Sequence, residues 1–224
     1  MSYRVGVIAA LAGELNPLVR GWVQQADGAY LIQDGDVAAV AVARGMGKER
    51  AEQAVLAAES YGPMDALVSI GWAGGSSCGV QPGTAYEVGE VIDQATGERF
   101  ATASATNPLK LVTADHIAGR EEKRKLAEGF GASLVDMEAA AVARMAQQRG
   151  IPFFCWKAIT DIASEQLPDL NLFLDQEKQL RMGQLATYAL TRPRHIASLW
   201  RMGRNSKSGA EALGNTVRHW IHRH

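Results

Sequence analysis

Four acids stand where strand-like runs end or a helix begins: Glu14, Asp136, Glu138 and Asp161. The stretch "LVDMEAAAVARMAQQRG" (134–150) puts Asp136 and Glu138 at the head of an Ala-rich segment that otherwise reads as a buried helix. Glu14 follows the apolar run "YRVGVIAAL", and Asp161 closes "IPFFCWKAITD". Carboxyl groups of this kind can move protons and can stabilise positive charge developing on a bound ligand. An acid that must donate a proton near neutral pH needs its pKa raised by burial, and the apolar "IPFFCW" before Asp161 supplies a dry setting. Plainer readings stand beside these. Glu14 fits a first-turn acid favoured by the helix dipole, Asp161 an N-cap, and Asp136 with Glu138 a capping pair.

The elements that would position these acids follow from periodicity. Apolar runs of strand length alternate with helical patterns, as in a layered α/β domain. Buried strands are expected over 3–11, 64–71 and 151–161, with a hairpin joining "YLIQ" to "VAAVAVA" (37–43) through the turn residues Asp34 and Gly35. Helices are expected directly after the first strand, at about 48–61, over "REEKRKLAEGF" and from 136 onward. From about 172 the chain reads as helical, with Pro193 breaking it in two. Each buried strand runs into a polar or Gly-rich piece, the second into the turn "GWAGGSSCG". Ligands of α/β sheets bind at the carboxyl ends of strands, so the acids are expected to share one pocket.

Composition narrows the function classes. The 224 residues are 47% hydrophobic with a formal net charge of −1, which argues for one globular core and against a nucleic-acid binder. Two cysteines, Cys78 and Cys155, are too few for a disulfide framework or zinc site and suit a reducing cytoplasm. No window is long and apolar enough to read as a membrane span or a secretory leader. The Gly-rich turn matches neither G-x-G-x-x-G nor a P-loop, so no dinucleotide or triphosphate site is expected.

"VDMEAAAVARMAQQRGIPFFCWKAITDIA" resembles the signature of the purine nucleoside phosphorylase and nucleosidase superfamily, a V-E-M-E-A-x-A helix followed some twenty residues on by a strand ending A-I-S-D. "VGVIAALAGEL", "RGMGKERA" and "SIGWAGG" fall in the expected order, so the resemblance covers roughly residues 3–165. It implies a three-layer α/β/α sandwich around a mixed sheet, and, within the superfamily, similarity to methylthioadenosine/S-adenosylhomocysteine nucleosidases and hopanoid-associated nucleosidases. On that resemblance Asp161 falls on the general acid that protonates N7 of the purine. Glu138 falls on the carboxylate that binds the ribose hydroxyls, Met137 on the methionine under the sugar, and Glu14 on the residue that positions or deprotonates the attacking water. Ala73 and Gly74 fall among the substrate-binding positions, His116 on an aromatic that stacks on the purine, and Ile117 on the residue whose backbone reads the base edge. A loop histidine facing water is the plain alternative for His116. Neither metal nor organic cofactor is implied, and relatives of the nucleosidase type imply a homodimer.

Departures from the pattern matter as much. Phosphorylases of the superfamily carry a phosphate-binding arginine where this chain has Ser69, so hydrolysis is expected over phosphorolysis, with Arg20 and Arg44 left as cations that could still hold phosphate. Trp72 replaces a small serine near the water and Lys157 replaces an arginine, both among the substrate-binding positions on the resemblance, and Asp136, in place of a glutamate, is expected to cap a helix. The segment between "VGEVID" and "LKLVTA" is short, which opens the 5′ side to a larger substituent and resembles the hopanoid-associated group.

Residues 1–192 are thus expected to form a catalytic domain and 193–224 a basic helical extension. Residues 192–224 hold seven Lys or Arg and a single acid, Glu211, interleaved with Trp200 and Trp220, a pattern that suits either an anionic membrane surface or packing on the protein itself. His219, His222 and His224 read as a solvated tail. The expected function is hydrolysis of the N-ribosidic bond of a 5′-substituted adenosine, such as 5′-methylthioadenosine, S-adenosylhomocysteine or adenosylhopane, in the cytoplasm, with contact at the inner membrane surface left open. A phosphorylase that releases ribose 1-phosphate and a catalytically inactive nucleoside-binding module remain as alternatives.

Overall fold

A computed structural model describes residues 3–76, 79–104, 108–165, 167–175, 178 and 180–223, so Cys78 and His224 lie outside the described residues. The first half runs β1 (Tyr3–Ala9), α1 (Ala12–Leu15), β2 (Val23–Gln24), β3 (Tyr30–Asp34), β4 (Val37–Ala43), α2 (Lys48–Glu59) and β5 (Ala66–Gly75). Then come β6 (Ala85–Glu87), β7 (Glu90–Asp93), β8 (Arg99–Ala101), β9 (Lys110–Thr113), α3 (Arg120–Phe130), β10 (Leu134–Asp136), α4 (Ala139–Arg149) and β11 (Phe153–Ile162). The chain ends with a 3-10 turn at Leu170–Phe173, α5 (Met182–Thr191), a second 3-10 turn at Pro193–His195 and α6 (Ile196–Ile221).

These strands form one mixed sheet. β1 pairs in parallel with β4 and β5, and β5 pairs in parallel with β11, while β2, β3, β6 and β8 join by antiparallel edges. Both faces are covered, which is why the central strands read as continuous apolar runs rather than alternating ones. Val5, Val7 and Ala9 pack with Leu15, Leu213 and Val217 under α1 and α6, whereas Ile8 packs with Ala54, Val55 and Val142 under α2 and α4. Successive side chains of one strand thus feed two cores, giving helix, sheet and helix layers.

Several expected elements end elsewhere. The helix after β1 is a single turn, Ala12–Leu15, because Pro17 cannot continue the ladder. The expected Gly-rich turn after residue 71 is strand as far as Gly75, since β11 and β10 pair with it. The helix expected from 136 begins at Ala139, and Asp136 is the last residue of β10. Thr160 is bypassed in the β5–β11 register, where Ile159 faces Ala73 and Asp161 faces Gly74. A bulge of this type re-aims a side chain, here Asp161.

The C-terminal helix is part of the body of the protein. Gly209, Ala210, Leu213, Gly214, Val217 and Ile221 of α6 are buried against β11 and α1, and Trp220 stacks obliquely with Phe154 and Trp156. Close approach explains the glycines: a Cβ on Gly214 would lie 2.8 Å from the Leu18 nitrogen. No described helix is long and apolar enough to cross a membrane. Among the described residues of α6, Trp200 is 64% exposed and Ile196 45%, so only the first turns of the helix present apolar surface outward.

Candidate active site

One cavity of about 200 Å³ opens at the carboxyl ends of β1, β5 and β11. Glu14, Glu138 and Asp161 line it together with Trp72, Ala73, Gly74, His116, Ile117 and Met137. Every residue the sequence pointed to as catalytic or substrate-binding is therefore at this cavity except Lys157, which lies beneath it and is 1% exposed.

Glu14 is held by main-chain donors. One carboxylate oxygen accepts from the Ala10 and Leu11 N–H groups at 2.9 and 2.8 Å, and the other from Trp72 N–H at 2.8 Å. Gly71, at φ +149°, leaves space for it, since a Cβ there would stand 2.9 Å from Oε1. The first-turn capping reading of Glu14 is thus correct as far as it goes, and the same carboxylate faces the cavity. Burial raises its pKa, a shift that the Trp72 and Leu11 N–H groups and the charge of Lys157 reduce.

Glu138 is the N-cap residue of α4, but its side chain makes no capping bond. Its oxygens accept from Gly47 N–H at 2.7 Å, across the sheet in the "RGMGKERA" stretch, and from Met137 N–H at 3.2 Å. Burial, aided by repulsion from Asp136, pushes the Glu138 carboxyl up to about 8. Asp136 does cap α4, accepting from Ala139 N–H at 2.9 Å, but it does more: it accepts from Thr113 Oγ1 at 2.7 Å and ion-pairs with Lys157 Nζ at 2.8 Å. Lys157 also donates to Ser69 Oγ at 3.1 Å. Burial disfavours its ammonium, yet the Asp136 carboxylate more than offsets this, and its pKa is raised. The expectation that Lys157 contacts substrate is corrected. Its charge is spent on Asp136 and on the field at Glu14 and Glu138.

At the other end of the cavity Asp161 accepts from Thr160 Oγ1 at 2.8 Å and ion-pairs with Lys123 Nζ. It is not an N-cap, because it lies within β11. Lys123 is masked in the sequence by the charged run "REEKRKLAEGF" around it. The helical period is the signal: Lys123 and Leu126, three apart, are the buried positions of α3. His116 is 46% exposed in its side chain, stands at the rim between Asp115 and Glu122, and has its pKa raised chiefly by the bond to Asp115. The Trp72 indole donates to Ser206 O at 3.0 Å, tying α6 to the cavity, and Met202 and Ser206 of that helix join the lining. Met46, Leu170 and Leu180 complete its apolar part.

Neither candidate phosphate cation reaches this place. Arg20 pairs with Glu211 at the surface, and Arg44 with Asp27. Lys123 is the one lysine or arginine among the described lining residues. A second cavity of about 490 Å³ continues past Asp161 and Lys123 toward Arg120, Glu165, Arg194 and His195. No cluster of metal-binding side chains occurs among the described residues.

The fold is a nucleoside phosphorylase-like α/β domain, and its pocket is lined by carboxylates. Residues 95–191 match the family model described as the phosphorylase superfamily. Solved structures share the whole architecture. A 5′-methylthioadenosine-bound mutant of the Helicobacter pylori nucleosidase MTAN superposes with TM-score 0.74 at 13% identity over 100% of both chains. Futalosine hydrolase of Helicobacter pylori gives 0.75 at 13% identity over 100% of this chain and 99% of that one. The 5′-methylthioadenosine nucleosidase of Arabidopsis thaliana gives 0.75 at 19% identity over 98% and 96%. No curated protein matches the chain by sequence. The resemblance to the nucleoside phosphorylase and nucleosidase superfamily, carried by the motifs around Glu14, Glu138 and Asp161, thus has the fold to go with it.

Two outcomes test these electrostatics. Lys157→Met leaves the Asp136 carboxylate buried without its cation and is expected to cost about 3–5 kcal/mol in urea unfolding, with part regained on adding Asp136→Asn. A single variant as stable as the wild type would contradict the arrangement. Second, Glu138 ionises less readily folded than unfolded, so folding retains its proton from the ordinary range near about 4.3 up to about 8, and stability falls as pH rises through that window. Glu138→Gln removes the ionisation, so its melting temperature relative to wild type should rise between pH 5 and pH 8. A difference that does not change with pH would refute the shift.

Proposed function

We propose that this protein is a purine nucleosidase that hydrolyses the N-ribosidic bond of a 5′-substituted adenosine. The observation that carries this reading is the sorting of three buried acids around one cavity, with Glu14 and Glu138 at one end and Asp161 with Lys123 at the other. Departure of a purine builds oxocarbenium character on the ribose, which carboxylates stabilise, while the base needs a proton to leave neutral. Glycosidases divide acids between these two tasks in the same way.

In this reading Glu138 accepts from the ribose hydroxyls, and Met137 packs under the sugar. Glu14 orders the attacking water and takes its proton, for which a pKa raised by burial is suited. Asp161 meets the imidazole edge of the base, where N7 is protonated. Water rather than phosphate is the nucleophile, because a phosphate dianion at the sugar end would find no arginine or lysine among the described lining residues there, and an unpaired buried anion is costly. The names of the related structures, which act on 5′-methylthioadenosine, S-adenosylhomocysteine and futalosine, support a nucleoside bearing a 5′ extension. Apolar Leu11, Met46, Leu180 and Met202 offer that extension a surface.

Incubation with 5′-methylthioadenosine, S-adenosylhomocysteine, adenosine and a long-chain 5′-alkyl adenosine, each with and without phosphate, is expected to release adenine independently of phosphate. Asp161→Asn is expected to lower turnover at least about 100-fold. Intact nucleosides throughout, or near-normal turnover in the variant, would overturn the assignment.

Contact with an anionic membrane is part of the proposal. Leu190, Ile196 and Trp200 are exposed beside Arg192, Arg194, Arg201 and Arg204, with Arg204 over the Trp200 ring at 5.1 Å. Removing the whole helix would expose the core that Leu213 and Val217 cover, so the test is local: Ile196→Asp with Trp200→Asp should abolish sedimentation with phosphatidylglycerol vesicles and leave the fold intact. Unchanged sedimentation would exclude this surface.

A further inference from the structure

Three buried side-chain polar atoms lack a hydrogen-bond partner among the described residues: Glu165 Oε2, His195 Nδ1 and Arg218 Nε. Arg218 gives Nη2 to the Pro17 and Leu18 carbonyls and lines neither cavity. The other two line the same one, the cavity of about 490 Å³ that continues past Asp161. Both side chains are held in place. Glu165 closes a turn straight off β11, its N–H on Ile162 O at 2.9 Å, and its other carboxyl oxygen stands 3.8 Å from Arg201 Nε. His195 takes Arg194 Nε on Nε2 at 3.1 Å, and its ring centre lies 5.8 Å from that of Tyr188, which leaves Nδ1 as the free nitrogen. Native structures seldom leave buried polar atoms unpaired, because each forfeits the hydrogen bonds that water gave it. Two in one cavity point to a polar ligand group that meets both.

The place of the cavity decides what that group belongs to. Ile117, Ala118, Lys123, Asp161 and Leu170 line both cavities, so the two adjoin at Asp161, away from Glu14 and Glu138. In the reading proposed above, on which this inference rests, Asp161 faces N7 of the base. The position peri to N7, on the side away from the sugar, is the exocyclic nitrogen at C6. A chain carried there enters the second cavity, whereas a 5′ group leaves from the opposite end of the nucleoside. Ile162, Leu167 and Pro168 give such a chain apolar walls. A hydroxyl at its tip suits both unpaired atoms, because it donates one hydrogen bond and accepts others, whichever nitrogen of the His195 ring carries hydrogen. We propose that this cavity is a second subsite for the base, and that the nucleosidase takes adenosines bearing a short hydroxyalkyl chain on the exocyclic nitrogen, its hydroxyl held between Glu165 and His195.

The test measures kcat/KM for base release from the best nucleoside of the panel above and from the same nucleoside with a hydroxybutyl, a pentyl or a carboxypropyl chain on the exocyclic nitrogen. The hydroxybutyl and pentyl chains match in length and differ in the terminal oxygen. Wild type is expected to favour hydroxybutyl over pentyl about 10-fold, since a methyl group would leave both polar atoms unpaired. In His195→Phe, and separately in Glu165→Met, that ratio is expected to fall to about 2-fold or less. Each ratio is read within one variant, so any change in folding or in the shared chemistry cancels. A wild-type ratio near unity, or a ratio that survives either substitution, would overturn the inference. So would a preference for the carboxypropyl chain, which would assign the cavity to Arg120 and Arg194. Cleavage of the unsubstituted nucleoside with no cleavage of the chain-bearing ones would also overturn it, while leaving the nucleosidase reading intact. If wild type releases no base even from unsubstituted nucleosides, that reading itself fails and takes this inference with it.

Discussion

A single buried cation sets the terms for the site. Lys157 stands in the middle of the sheet with its ammonium on Asp136 and Ser69, and its charge favours the ionised forms of both Glu14 and Glu138. Without it, several acids at the ends of adjacent elements would face one another in low dielectric, where an uncompensated charge costs several kcal/mol. Asp136 links this cation to the backbone by capping α4 and accepting from Thr113, so the same carboxylate that neutralises Lys157 fixes the helix on which Glu138 is mounted. The electrostatics and the geometry around Glu14 and Glu138 are therefore one construction.

The part of the cavity around Asp161 is built on a different device. A bulge at Thr160 turns Asp161 toward the cavity, and Gly74 opposite it leaves room for Lys123 from α3. Each of these places thus holds one lysine paired with one aspartate, but Lys157 is sealed beneath the cavity whereas Lys123 lines it. Burial decides their roles. Lys157 contributes a fixed charge, whereas Lys123, at a wall shared by two cavities, can meet a ligand.

Much of this was legible in the chain. Alternating apolar runs gave the layered architecture, and the placement of acids after strands gave the cavity, because a parallel sheet with both faces covered leaves its carboxyl edge as the natural place for polar groups. The "RGMGKERA" motif was visible, but not that Gly47 supplies a backbone N–H to Glu138. The inward turn of Lys123 was hidden by the charges flanking it, and the bulge at Thr160 leaves no compositional mark. The resemblance puts Lys157 at a substrate-binding position, but one-dimensional order does not separate the two faces of a buried strand end. The basic composition of residues 193–224 leaves membrane contact and packing on the protein equally open, and it is the small-residue stripe Gly209, Ala210, Gly214 that lets α6 close on the sheet. That helix supplies Met202 and Ser206 to the pocket, so the C-terminal segment shapes the site as well as the surface.

The central claim is that this carboxylate-lined cavity directs water, not phosphate, to the anomeric carbon of a purine nucleoside. The most direct measurement is to run the cleavage in H₂¹⁸O with phosphate present and weigh the sugar product by mass spectrometry. The account predicts one ¹⁸O at the anomeric carbon of free ribose bearing its 5′ group. A sugar 1-phosphate without the label, or no cleavage at all, would contradict it.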